Sequence, residues 1–150
     1  MKWKNGENEA LLLKAKALDY LGNYKDALLI DLLALKASIQ LKDSILIARA
    51  LRQTAGMYST QSKINYSIKL YNASIEISRK INYLKGLGSA LNDLGSMFLM
   101  ISKYDQAIVL INESILTKIK IHDTVNLSNS YRKLSMIYFE IGHYEKSIDY

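Results

Sequence analysis

Arg52, Asn92 and Arg132 stand 40 residues apart, and Arg49, Ser89 and Asn129 form a second such row three positions earlier. Leu12 and Glu9 hold the corresponding places in the first copy. These residue types suit the recognition of an extended peptide. A guanidinium donates paired hydrogen bonds to a carboxylate, and an asparagine amide satisfies both the N–H and the C=O of a peptide backbone. Each charge-assisted bond of this kind contributes ~1.5–3 kcal/mol.

The chain offers far less for catalysis. It has no cysteine, which excludes disulfides, thiolate zinc sites and cysteine nucleophiles. Met57 and Met97 share a column, but the fourth copy places Ile137 there, so the column is an apolar core position and not a ligand set. His122 falls in a turn between repeats and His143 in a turn within one, which keeps them from a shared metal. Asp19 and Glu140 belong to the first and last copies, too far apart for acid–base work on one bond. There is no glycine-rich phosphate loop and no nucleophile motif. The expectation is a chain that is not an enzyme, with no catalytic residue, metal or cofactor.

The elements that position these rows follow from one repeated phrase. Tyr24-Lys-Asp-Ala27, Ile64-Asn-Tyr-Ser67, Tyr104-Asp-Gln-Ala107 and Tyr144-Glu-Lys-Ser147 recur in phase, as do Ala10, Ala50, Ala90 and Ser130. A fixed period of this length marks a stacked repeat architecture, in which each repeat buries its apolar face on its neighbours. Between the phrases, apolar residues return at three- and four-residue spacing, the period of an amphipathic helix. Leu87, Ala90, Leu91, Leu94, Met97, Phe98 and Ile101 mark one such face. Proline is absent, as suits an all-helical chain.

Breaks at Gly22, Ser62, Ser102 and Gly142 divide each repeat into helices A and B, and Asp43 and Asp123 are N-cap residues for the A helices that follow. The spacing predicts A helices over about 7–21, 44–61, 84–101 and 124–141, and B helices over about 24–41, 64–81 and 104–121, with a last one from about 144. The fold class expected is an all-α, right-handed α-solenoid of antiparallel helix pairs. It forms one array over 1–150, with repeats at about 7–43, 44–83, 84–123 and a truncated 124–150. The expectation is a piece of a longer protein, because the fourth B helix stops after about two turns and no polar capping helix follows.

These residues resemble the tetratricopeptide repeat family. Its pattern is a large residue, x2-Leu-Gly-x2-Tyr, and later Ala-x3-aromatic. The third repeat reads Leu91-x2-Leu94-Gly95-x2-Phe98, then Ala107-x3-Ile111; the fourth reads Tyr131-x2-Leu134-Ser135-x2-Tyr138, then Ser147. Small residues at Ala15, Ala55, Gly95 and Ser135, facing Ala27, Ser67, Ala107 and Ser147, let helices A and B approach closely. The period of 40 exceeds the usual length of about 34, which resembles the long-repeat arrays of bacterial regulators.

The resemblance implies a groove lined by the A helices and a protein or peptide partner. It places Arg49, Arg52, Ser89, Asn92, Asn129 and Arg132 on that face, where the arginines themselves favour an acidic partner. The alternative it implies is the sensory or regulatory part of a bacterial signalling protein, such as a sensor histidine kinase, whose catalytic domain lies outside this chain.

The first B helix adds a second surface. Leu29, Leu32 and Leu33 stand where the second has Lys69, Asn72 and Ala73. The expectation is an interface, including self-association through the first repeat, unless the N-terminal residues around Trp3 fold over it. The net charge of +6 comes from dispersed lysines with no basic run, so no nucleic-acid site is expected. No apolar segment is long enough to span a bilayer or serve as a leader, so no membrane contact is expected; compartment is left open between cytoplasm and periplasm.

Overall fold

The computed structural model describes the backbone of residues 2–150 and the side chains of residues 6–150. Eight helices follow one another: α1 Lys2–Tyr20, α2 Tyr24–Leu41, α3 Ser44–Thr60, α4 Ile64–Lys80, α5 Leu84–Met100, α6 Tyr104–Lys120, α7 Thr124–Glu140 and α8 Tyr144–Ile148. No strand occurs among the described residues, and the fold is all-α, of the helical-repeat solenoid class. The helices lie within a residue or so of the expected spans, except that α1 begins five positions earlier than 7.

Every inter-helix turn from α1 to α8 uses the same device. One residue adopts a left-handed conformation: Gly22 (φ 75), Lys42 (φ 54), Ser62 (φ 59), Asn82 (φ 53), Ser102 (φ 57), His122 (φ 54) and Gly142 (φ 79). At Ser102 the last carbonyls of α5 are closed by Ser102 N–H to Leu99 O and Lys103 N–H to Phe98 O, the pairing of a Schellman motif. Glycine takes this conformation freely, whereas the five non-glycine residues carry a steric cost there. The following helices start on side chains where the sequence supplies them: Asp43 accepts from the N–H groups of Ile45 and Leu46, and Asp123 from that of Asn126.

The chain divides into two compact units, Met1–Asn82 and Tyr83–Tyr150. In the first, α1 packs on α2, α2 on α3 and α3 on α4, with α1 also touching α3. Leu12, Ala34, Leu46 and Ala50 form a buried cluster there, flanked by Leu11, Leu35 and Leu41. In the second, α5 packs on α6, α6 on α7 and α7 on α8, with α5 also touching α7. Its centre is Leu91, Leu94, Met97, Ile111, Leu134 and Ile137, all buried.

Close approach within a pair depends on the small residues. A Cβ at Gly95 would stand 2.7 Å from Ile111 Cγ1 and 3.4 Å from the Ala107 carbonyl oxygen. Ser67 Oγ donates to Ala55 O at 2.8 Å, and Ser147 Oγ donates to Ser135 O at 3.0 Å, so the small polar residues also tie the helices together. Met57, Met97 and Ile137 are all buried, in keeping with a packing column.

Candidate interaction surface

The first unit carries Arg49 and Arg52 on α3. Arg49 Nη1 donates to Glu9 Oε1 of α1 at 2.8 Å, an ion pair that remains partly exposed. Such a pair is loosely held in water and can exchange for another carboxylate. Arg52 is half-buried, and its charge acts on Asp31 of α2. Beside them, Gln53 Nε2 donates to Leu12 O at 3.0 Å and stitches α3 to α1.

In the second unit, Arg132 and Asn129 lie together on the exposed side of α7. Arg132 Nη2 reaches Asn129 Oδ1 at 3.4 Å and Nη1 reaches Met136 Sδ at 3.8 Å. Both contacts are long, which leaves most of the guanidinium's donor capacity for other groups. Ser89 is half-buried and its hydroxyl donates back to Lys85 O of its own helix.

Asn92 is a correction to the sequence reading. It is 8% exposed, its Oδ1 accepts from Ser130 Oγ at 2.9 Å, and its Nδ2 donates to Asp93 Oδ1 at 3.4 Å. The cause is Ser130, which occupies the column where Ala10, Ala50 and Ala90 stand. A buried hydroxyl requires an acceptor, and Asn92 supplies it. The side-chain carbonyl is thereby taken from any ligand.

Sequence reasoning missed the network that surrounds Asn92. Lys118 of α6 is 3% exposed, and its Nζ donates to Ser130 Oγ at 2.6 Å and to Asn126 O at 3.0 Å. Its stem crosses Gly88, where a Cβ would lie 3.3 Å from Lys118 Cγ, so the glycine makes room for the lysine. Ser114 Oγ donates to Gly88 O at 2.7 Å on the same side. Lys133 of α7, half-buried, bonds Ser96 Oγ. Burial, and then the Lys133 charge, push the Lys118 ammonium down to about 8, against the opposite pull of Asp93 and Asp123. Burial likewise lowers Lys133.

A lysine bonded to a serine is an arrangement that activates hydroxyl nucleophiles. Here Ser130 is fully buried and commits its proton to Asn92, so the pair serves as internal bracing. The signal was readable: the column 38, 78, 118 runs Ser, Ser, Lys, and its partner column 48, 88 runs Ala, Gly.

Asp31 was also missed. It is 2% exposed in the column that Tyr71 and Ile111 fill in later repeats, and its Oδ1 has no hydrogen-bond partner among the described residues. Burial, then the neighbouring Asp19 charge, push its carboxyl up to about 7, with Arg52 pulling the other way.

Leu29, Leu32 and Leu33 are 56%, 40% and 47% exposed, so none of them is core. The side chain of Trp3, the residue considered as their cover, lies outside the described residues. Among the described residues no three His, Cys, Asp or Glu side chains gather where a metal could be held, and no helix is long and apolar enough to cross a membrane.

No family model matches the chain, and no curated protein matches it. Solved structures do. BtubC (BKLC) from P. vanneervenii superposes with a TM-score of 0.81 at 19% identity, over 95% of this chain and 59% of that one. Aspartyl phosphate phosphatase F from Bacillus subtilis superposes with a TM-score of 0.86 at 14% identity, over 96% of this chain and 38% of that one. At these identities the likeness establishes the helical-repeat fold. The chain spans less than two thirds of either protein.

Proposed function

We propose that this chain is a tetratricopeptide-like protein-interaction module that acts by binding and not by catalysis, and that its partner presents acidic side chains or a C-terminal carboxylate. The observation that carries this reading is Arg132: an exposed guanidinium whose hydrogen bonds to Asn129 and Met136 are long. A rigid helix holding such a group ready loses little side-chain freedom on binding a carboxylate. Arg49 in the first unit supports the same reading, because its partner Glu9 already shows the geometry a ligand carboxylate would take. Arg52, Ser89 and Asn129 are the further polar residues of these faces, whereas Asn92 acts from inside by fixing Ser130.

The likeness to the Bacillus phosphatase supports a second reading, that the module is the regulatory part of a bacterial signalling protein. The exposed leucines of α2 support a third contact, self-association through Leu29, Leu32 and Leu33. Fluorescence anisotropy with a labelled Glu-rich peptide bearing a free C-terminus tests the main proposal. Wild-type protein binds it, binding weakens with added salt, and Arg132→Ala weakens it about tenfold, the loss of one charge-assisted bond. Equal binding of a Lys-rich peptide, or an unchanged affinity in Arg132→Ala, would refute it.

A further inference from the structure

A cleft of about 350 Å³ lies between α1 and α2 in the first unit, lined by Glu7, Asn8 and Leu11 on one side and Ala37, Gln40 and Leu41 on the other. It is separate from the arginine-bearing helix α3. Leu11 and Leu41 are half-buried against the core cluster and give the cleft aliphatic walls.

Its polar chemistry is set by Asn8, which is 1% exposed. Asn8 Nδ2 donates to Ser38 Oγ at 2.7 Å, and Asn8 Oδ1 has no partner among the described residues. The orientation of this amide is determined by its neighbour. Ser38 Oγ donates its own proton to Ala34 O at 2.7 Å, so Ser38 can only accept from Asn8 and the NH2 group must face it. The orphan is therefore an acceptor. A buried carbonyl left unpaired costs about 1–3 kcal/mol, and the group that relieves it has to donate.

Packing alone does not ask for asparagine here. The same column holds Ala48 and Gly88 in the next two repeats. The charged group among the described lining residues is also an acceptor: Glu7 is exposed at the rim. Glu9 is already taken by Arg49, so Glu7 is the carboxylate that a ligand in the cleft would meet.

We propose that this cleft is a binding site for a basic side chain of a partner protein, a lysine or arginine whose aliphatic stem lies on Leu11, Ala37 and Leu41. Its terminal N–H donates to Asn8 Oδ1 while the positive charge faces Glu7. The match is one of chemistry: two acceptors, no cation among the described lining residues, and walls suited to a methylene chain. The site is independent of the acidic-peptide surface, and it selects the opposite charge.

The test uses the full chain and blocked tripeptides Gly-X-Gly, with X lysine, arginine, norleucine or glutamate, followed by amide chemical shifts. The lysine and arginine peptides shift the Asn8 side-chain amide and the Leu11 and Leu41 signals at millimolar concentration, and the norleucine and glutamate peptides do not. Asn8→Leu weakens binding at least tenfold and Glu7→Gln severalfold, while Arg132→Ala leaves it unchanged, which separates this site from the proposed acidic-peptide surface. Glu7→Gln alters an exposed position and keeps the test decisive if Asn8→Leu fails to fold. Equal shifts from norleucine and lysine, or binding indifferent to both variants, would overturn the proposal. So would lysine binding that appears only in Trp3→Ala, because the chain would then fill its own cleft.

Discussion

Lys118 Nζ donates to Ser130 Oγ at 2.6 Å, and through that hydroxyl the ammonium of α6 is joined to Asn92 of α5. Three helices of the second unit thus meet at one buried serine. The bracing carries an electrostatic cost, because the lysine has left water and the pull of Asp93 and Asp123 offsets that burial only in part.

That cost gives a pH prediction. The folded pKa of Lys118 is about 8 against an ordinary 10.5. The unfolded chain therefore holds more protons in that window, and stability rises with pH across it. Below pH 8 the ionised lysine costs about 3 kcal/mol, from a shift of a few units at 1.36 kcal/mol each. Urea unfolding should show wild-type protein gaining roughly 2 kcal/mol on Lys118→Met between pH 7.5 and 9.5. Parallel pH profiles for the two proteins would show that the lysine is not desolvated.

Asp31 behaves with the opposite sign. Its folded pKa, about 7, stands above the ordinary 3.8, so its contribution is present in full below 3.8 and lost as pH rises through 7. Relative to Asp31→Asn, wild-type protein should lose roughly 2–3 kcal/mol between pH 5 and 8, a loss read in hydrogen exchange of α1 to α3. Asp31→Leu should be more stable than wild type at pH 8, since leucine suits the column of Tyr71 and Ile111 and removes the unpaired oxygen. A less stable leucine variant would mean that the carboxylate is satisfied.

The helices and their turns were legible because they repeat. Four copies in phase showed that Ala15, Ala55, Gly95 and Ser135 hold one place, and the close contact of Gly95 with Ile111 is the physical content of that column. What repeats poorly was read poorly. Asp31, Lys118 and Ser130 each depart from their columns, and a departure in one copy says that something differs without saying what meets it. Asn92 shows the limit best. Its column holds arginine before and after it, yet one hydroxyl at Ser130 turns it inward. Periodicity reports which residues share a place on a helix; side-chain partners decide which of them reach water.

Gly95 should tolerate no side chain. A methyl group there meets Ile111 Cγ1, on the stiff β-branched part of a buried side chain, and the Ala107 carbonyl oxygen behind it, so relief requires the helix pair to move. Gly95→Ala should cost ~1–3 kcal/mol in urea unfolding despite alanine's better helix propensity, and Gly95→Leu more. Gly88→Ala is the milder comparison, as its Cβ comes nearest to the flexible stem of Lys118, at 3.3 Å, and a methyl of Thr117, at 3.5 Å. Equal stability of Gly95→Ala and wild type would show that the pair is not tightly closed.

The leucines of α2 give the last prediction. Leu32 and Leu33 are 40% and 47% exposed, and the third repeat holds Asn112 and Glu113 in the same columns. Leu32→Asn with Leu33→Glu copies those residues and removes apolar surface from water contact. The midpoint of thermal unfolding should therefore move little, since substitutions away from the core stay within about 0.5 kcal/mol. If the patch is a self-association surface, light scattering should show a concentration-dependent mass in wild type and a monomer in the double variant. A monomeric wild type would assign the patch to a different partner. A large loss of stability would mean instead that these leucines are covered within the chain, in conflict with their exposure.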